Sequence, residues 1–89
     1  MTIKTPVDPV LHDFRGDLLT VIAAAPLPPG SRVAFPLDIP GEDNVVPVQG
    51  KVVYAKPLPE DAALCKMSIR VHSLQKEARD ILLAAAASL

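Results

Sequence analysis

The sequence of 89 residues contains one cysteine, no tryptophan and only three aromatic residues. Because Cys65 has no second cysteine to pair with, an internal disulfide is excluded, which argues against a small secreted scaffold. With so few aromatic side chains, the core has to be aliphatic, and 49% of the residues are apolar. We therefore expect one small domain with one modest core.

Charge of one sign is not gathered into a block anywhere along the sequence. Nine basic and ten acidic side chains are interspersed and give a net charge of −1. Because nucleic-acid-binding proteins cluster Lys and Arg to neutralise phosphates, no nucleic-acid partner is expected. No segment reaches the roughly 18 apolar residues of a membrane span, and charged residues interrupt the N-terminal segment. We therefore expect no membrane partner, no signal peptide and a cytoplasmic location.

A strict alternation of apolar and polar residues over positions 32–39 marks the clearest element. Its apolar positions share one face and are Val33, Phe35, Leu37 and Ile39. A period of two predicts a strand with one buried and one solvated face. Pro36 lies on the polar face and predicts a sheet edge or a bulge.

Three further segments have strand character. Residues 18–24 are apolar on both faces, which predicts an interior strand. Residues 45–56 predict a long strand in which Gly50 marks a bend or a close backbone approach, and in which one face carries Val46, Val48, Val52 and Tyr54. Residues 63–71 alternate again, with an outward face formed by Lys66, Ser68 and Arg70.

Turn residues separate these strands at 13–17, 41–44 and 57–61, and the turn at 41–44 predicts a hairpin. Residues 1–12 contain two prolines and predict an arm or a short edge strand. The domain proper is then 13–89.

The hydrophobic period becomes helical over about residues 74–88, with Ser73 as the predicted N-cap. One stripe of the helix carries Leu74, Ala78, Ile81, Leu82, Ala85 and Leu89. Four strands followed by one helix predict a mainly β fold. A short antiparallel sheet of this kind is expected to curl into a small barrel that hides its edges.

Residues that could support catalysis or bind a metal are isolated from one another. His12 and His72 have no nearby ligands, so no metal site is expected. Cys65 lies on an inward face, where a small buried hydrophobic role is expected rather than a nucleophile. The N-terminal carboxylates lie in turn-like sequence, where Asp is favoured for local hydrogen bonds. We therefore predict no enzyme, no catalytic residue and no cofactor.

Three segments carry a resemblance to a known family through their order and spacing: 27–33 (LPPGSRV), 48–54 (VQGKVVY) and 67–71 (MSIRV), followed by Leu74 and the helix. Together they resemble the PilZ domain, a small bacterial β-barrel module best known for sensing cyclic di-GMP. The resemblance covers residues 13–89 and implies a small antiparallel PilZ-like barrel with one C-terminal helix.

The resemblance also implies where a ligand would bind. The family uses two arginines four apart, upstream of the barrel, and an Asp/Asn-x-Ser-x-x-Gly motif. No arginine precedes Asp13 in this chain, and the second motif falls on 13–18, where Asp13 fits but Arg15 and Leu18 replace Ser and Gly. Asp13 and Arg15 are therefore the candidate ligand-binding residues, and Arg32 is a further arginine able to grip a phosphate or carboxylate.

By this resemblance the chain is a non-enzymatic signalling or adaptor module in bacterial motility or surface behaviour. It would contact a protein partner through a sheet edge or its apolar helix, with Leu64 and the alanine run at 84–87 as candidate contacts, and bind cyclic di-GMP weakly or not at all. The alternative is a cyclic di-GMP receptor with an altered site. An exposed strand edge would also permit a homo-oligomer.

Overall fold

The computed structural model describes residues 2–41, 43 and 45–89. Six strands and one C-terminal helix make up the fold, which confirms the mainly β prediction. In chain order the elements are β1 (Ile3–Lys4), β2 (Val10–Arg15), β3 (Leu18–Ala23), β4 (Arg32–Asp38), β5 (Val45–Pro57), β6 (Cys65–Val71) and α1 (Lys76–Ala87).

The strands form a single sheet in the order β1–β4–β5–β6–β3–β2. Every pairing is antiparallel except the short parallel pairing of β1 with β4. Strands β1 and β2 are the two ends of the sheet and are not paired with each other, so hydrogen bonds do not close the sheet into a barrel. The sheet nevertheless curls, because β2 lies against both β4 and α1.

The turn between β2 and β3 is tighter than the predicted turn at 13–17. Arg15 pairs directly with Leu18, so that only Gly16 and Asp17 form the loop. Gly16 has a φ of +60°, a backbone conformation that glycine adopts without steric cost at the first position of such a loop. Asp13 and Arg15 consequently lie on strand β2 rather than in a loop.

Strand alternation gathers the core on one face of the sheet. As predicted, β3 is an interior strand, and the apolar positions of β4 and β6 are buried. The buried apolar residues are Leu11, Phe14, Leu19, Val21, Ala23, Val33, Phe35, Leu37, Ile39, Val46, Val48, Val52, Cys65, Met67, Ile69, Val71 and Leu82. Helix α1 covers this face and contributes Leu82 to the core. Pro36 pairs with Pro47 on β5. The pairing of β4 with β1 ends at Val33, and the pairing of β5 with β6 begins at Gly50, so neither proline has a strand on its other side. Pro36 therefore lies at a local edge of the sheet, one of the two places predicted for it.

Three positions depart from the sequence expectation. A register shift between Val52 and Tyr54 breaks the alternation, so that Tyr54 is 41% exposed and does not share the face of Val52. Ser68 lies on the predicted outer face but is fully buried, with its hydroxyl 3.3 Å from that of Thr20. The N-cap of α1 is Gln75, not Ser73, because Ser73 adopts a left-handed φ of +59° and the helix begins at Lys76.

The predicted close approach at Gly50 is confirmed. A Cβ built on Gly50 would collide with the carbonyl oxygen of Arg70 and lie 2.8 Å from Ile69 Cγ2. Both atoms belong to β6, and one of them is backbone, so the contact cannot be relieved by a side-chain rotation. The absence of a side chain at residue 50 thus lets β5 and β6 approach each other at this point.

We expect the substitution Gly50→Ala to lower the free energy of unfolding by about 2 kcal/mol, because overpacking forces the two strands apart. Urea denaturation followed by circular dichroism measures this change. Gln49→Ala is the matched control, since residue 49 is the exposed neighbour on the same strand. Equal stability of the two variants would contradict the prediction.

Candidate functional site

Basic side chains line up across the outer face of the sheet, the face opposite the core. Arg15 on β2 pairs with Leu18 on β3, and Leu18 pairs with Arg70 on β6. Arg70 pairs in turn with Lys51 on β5, and Lys51 with Arg32 on β4. We call the four cations Arg15, Arg70, Lys51 and Arg32 the basic row. All four side chains belong to exposed residues, and Leu18 interrupts the row between the first two.

The two residues that the sequence proposed for ligand binding are in contact with each other. Asp13 and Arg15 are two positions apart on β2 and therefore share its outer face. Arg15 Nε lies 3.0 Å from Asp13 Oδ2, and the two side chains are 87% and 39% exposed. An ion pair this exposed contributes little to stability. It nevertheless gives Arg15, the one arginine among residues 13–18, a carboxylate partner within the chain itself.

Helix α1 holds the turn that follows this pair. Arg79 donates a hydrogen bond from Nη1 to the carbonyl oxygen of Gly16. Its guanidinium also lies 5.6 Å from the centroid of the Phe14 ring, a cation–π geometry. Residues 13–18 thus form a tight hairpin, and α1 holds this hairpin in place.

A cleft of about 500 Å³ opens at the other end of the basic row. Its charged lining consists of Asp17, Arg32, Lys51 and Arg70, with His72 beside them. Arg70 Nη1 lies 3.7 Å from Asp17 Oδ2. Within residues 2–41, 43 and 45–89, neither Arg32 nor Lys51 forms an ion pair with a carboxylate. The cleft is therefore locally positive although the chain is not.

The structure brings together two arginines that the sequence singled out and two cations that it did not. Arg15 and Arg32 belong to one row, whereas Lys51 and Arg70 carried no functional signal in the sequence. The outward position of Arg70 follows from strand alternation alone. Its position beside Lys51 depends on how β5 and β6 are aligned. The sequence did not reveal this alignment, which changes at the bulge after Val52.

The remaining candidate residues are placed apart. His72 lines the cleft, while His12 is exposed at the register shift of β2. In the part of the chain that the structure describes, no three His, Cys, Asp or Glu residues are grouped so that they could hold a metal ion. Leu64 is half-buried in the loop before β6, where its backbone N–H donates to the Asp61 carbonyl.

Cys65 is packed in the core, as its inward position predicted. It is 3% exposed, and its thiol donates a weak hydrogen bond to the carbonyl oxygen of Ala23 at 3.5 Å. Burial disfavours the thiolate and raises the pKa of Cys65 above its ordinary value. A protonated, buried thiol is a poor nucleophile.

Comparison with known proteins finds no matching family model, no matching curated protein and no matching solved structure. Among the described residues, no helix is both long enough and apolar enough to cross a membrane.

We expect Cys65 to be alkylated by iodoacetamide much more slowly in the folded protein than in urea at the same pH. Because the folded pKa is raised, folding keeps a proton that the unfolded thiol loses, so the free energy of unfolding should fall as the pH rises above about 8.5. Cys65→Ser at the same position should remove this pH dependence. Fast labelling of the folded protein would contradict the burial of the thiol.

Proposed function

We propose that this chain is a PilZ-like, non-enzymatic module of bacterial signalling that acts in the cytoplasm by protein contact, in the control of motility or surface behaviour. Its curled sheet would then be a PilZ-like barrel in which β2 lies against β4. The proposal includes weak or no binding of cyclic di-GMP. Its support is the family resemblance of the sequence, together with a sheet and a C-terminal helix in the order that the resemblance implies.

The observation that carries the weak-binding part is the geometry of the hairpin at 13–18. Asp13 is engaged by Arg15, and the Gly16 carbonyl is engaged by Arg79, so these polar groups already have partners within the chain. Leu18, at the glycine position of the motif, is half-buried on β3 between Arg15 and Arg70. Glycine at this position of the motif would let the backbone come close to a ligand, and the Leu18 side chain prevents that approach.

An exposed apolar face on α1 supports the protein-contact part. Leu83 is 44% exposed, and the neighbouring Ala84 and Ala87 are exposed as well. Ala87 lies one helical turn after Leu83 and Ala84, so the three residues share one side of the helix. A groove of about 320 Å³ runs between the helix and the end of β4, lined on the sheet side by Ile39 and Pro40. The other two alanines of the run are half-buried against the core and are not available to a partner.

The sheet edges are poorer docking candidates than the helix. Edge strand β1 has only two residues, and edge strand β2 is interrupted by a register shift between Leu11 and Asp13. Short and bulged edges resist pairing with another strand. Among the described surfaces that the sequence suggested, we therefore assign the partner contact to α1.

Isothermal titration calorimetry with cyclic di-GMP tests the weak-binding part. We expect no binding at micromolar concentrations, because one paired arginine replaces the several guanidinium groups that would bind the phosphates. Micromolar affinity would favour the alternative, a receptor with an altered site, for which Asp13 and Arg15 on one face are the supporting observation. In that case Arg15→Ala should weaken binding by about 1.5–3 kcal/mol.

Proximity labelling in the native host tests the contact through α1. We expect Leu83→Lys to remove the main labelled partner, because a charge would be buried at the contact. Val53→Lys is the matched control, since Val53 is similarly exposed, at 42%, but lies on the sheet. An unchanged partner with Leu83→Lys, or loss with both variants, would contradict docking on the helix.

A further inference from the structure

We propose that the Arg32–Lys51–Arg70 segment of the basic row is a binding site for a small, multiply charged phosphate anion with a linear, triphosphate-like chain of anionic groups. The inference does not depend on the proposed function. It rests on the cross-strand register and on the charge of the cleft, and the site shares no residue with the docking face on α1.

The first observation is that three like charges stand directly opposite one another. Arg32 pairs with Lys51 and Lys51 with Arg70, on the three adjacent strands β4, β5 and β6. Neighbouring strands are about 4.8 Å apart, so the three side chains leave the sheet at this spacing. Like charges at directly opposed positions repel and destabilise a sheet unless a counter-charge lies between them. A bound anion would supply that counter-charge.

The second observation is that the chain neutralises this segment only in part. Of the three cations, Arg70 alone has a carboxylate partner in the described part of the chain, at the long separation of 3.7 Å from Asp17. Three cations and one carboxylate leave the cleft with a charge of +2 in a chain whose net charge is −1. The positive charge is thus specific to this cleft and does not reflect a generally basic protein.

The arrangement of the cations selects the ligand. Arg32 and Arg70 are separated by two strand spacings, about 10 Å, and each guanidinium can bind two oxygens of one anionic group. Lys51 stands between them as a point charge that suits a central group. With the side chains extended from the sheet at this spacing, a short chain of phosphates matches the span between the two arginines better than a single phosphate does. The cleft volume of about 500 Å³ accommodates a small molecule of this kind.

A second pair of cations on the same face distinguishes a small ligand in the cleft from a polymer that lies along the sheet. Lys56 pairs with Lys66 near the opposite end of β5 and β6, with Tyr54 and Ser68 between this pair and the basic row. A single-stranded nucleic acid lying along the sheet would contact this pair and stack on Tyr54. A triphosphate in the cleft would contact neither.

Calorimetric titration of the full chain with sodium tripolyphosphate, at constant ionic strength, tests the proposal. We expect binding that Lys51→Gln weakens about tenfold, the effect of losing one charge-assisted contact. Arg32→Gln should weaken it similarly. Lys56→Gln is the matched control, a lysine on the same strand and face, and should change affinity less than twofold. Tripolyphosphate should also raise the melting temperature of the wild-type protein.

The ligand-free proteins provide a second measurement that does not require binding. Because Lys51→Gln removes repulsion from two directly opposed cations, Arg32 and Arg70, we expect it to raise the melting temperature above that of the wild-type protein, and to raise it more than Lys56→Gln, which removes repulsion from Lys66 alone. Undetectable tripolyphosphate binding at millimolar concentration, or an equal loss with Lys51→Gln and Lys56→Gln, would overturn the proposal. Tighter binding of a poly(dT) oligonucleotide that Tyr54→Ala weakens would overturn it in favour of a nucleic-acid surface.

Discussion

The register of β5 against its two neighbours is the constraint on which the rest of the structure depends. Gly50 sets it at one point, because only a residue without a side chain lets β5 approach the Arg70 carbonyl. With that register, inward residues of three strands meet in one core and outward residues meet in cross-strand rows. A change of one residue would exchange the two faces and expose the core.

The two faces of the sheet differ in chemistry. The inner face is aliphatic and is covered by α1, with Leu82 in the core. The outer face carries two features that are unusual for a solvated sheet surface, the buried hydroxyl pair of Thr20 and Ser68 and the basic row. Each hydroxyl can donate to or accept from the other, so their burial leaves neither without a partner. The cations of the basic row cannot satisfy one another in this way, because like charges repel.

The hairpin at 13–18 carries the candidate ligand-binding residues and also contacts helix α1. Arg79 contacts both the Gly16 carbonyl and the Phe14 ring, so the position of the helix and that of the hairpin at 13–18 are coupled. Asp13 and the Gly16 carbonyl are engaged within this chain. Arg32 and Lys51, which form no ion pair among the described residues, lie at the cleft on the far end of the row. The proposed anion site and the proposed partner contact on α1 thus lie on separate surfaces.

Local pattern alone determined strands β3 to β6, the helix and the aliphatic core, because period and turn chemistry act over a few residues. It predicted a turn at 13–17, where β2 in fact continues to Arg15. It located α1 within two residues and the edge position of Pro36, but it misplaced Tyr54, whose bulge arises from pairing with β6. It singled out Asp13, Arg15 and Arg32 as isolated residues. Only the tertiary structure aligned Arg15 and Arg32 with Lys51 and Arg70, because residues far apart in the chain become neighbours through strand register.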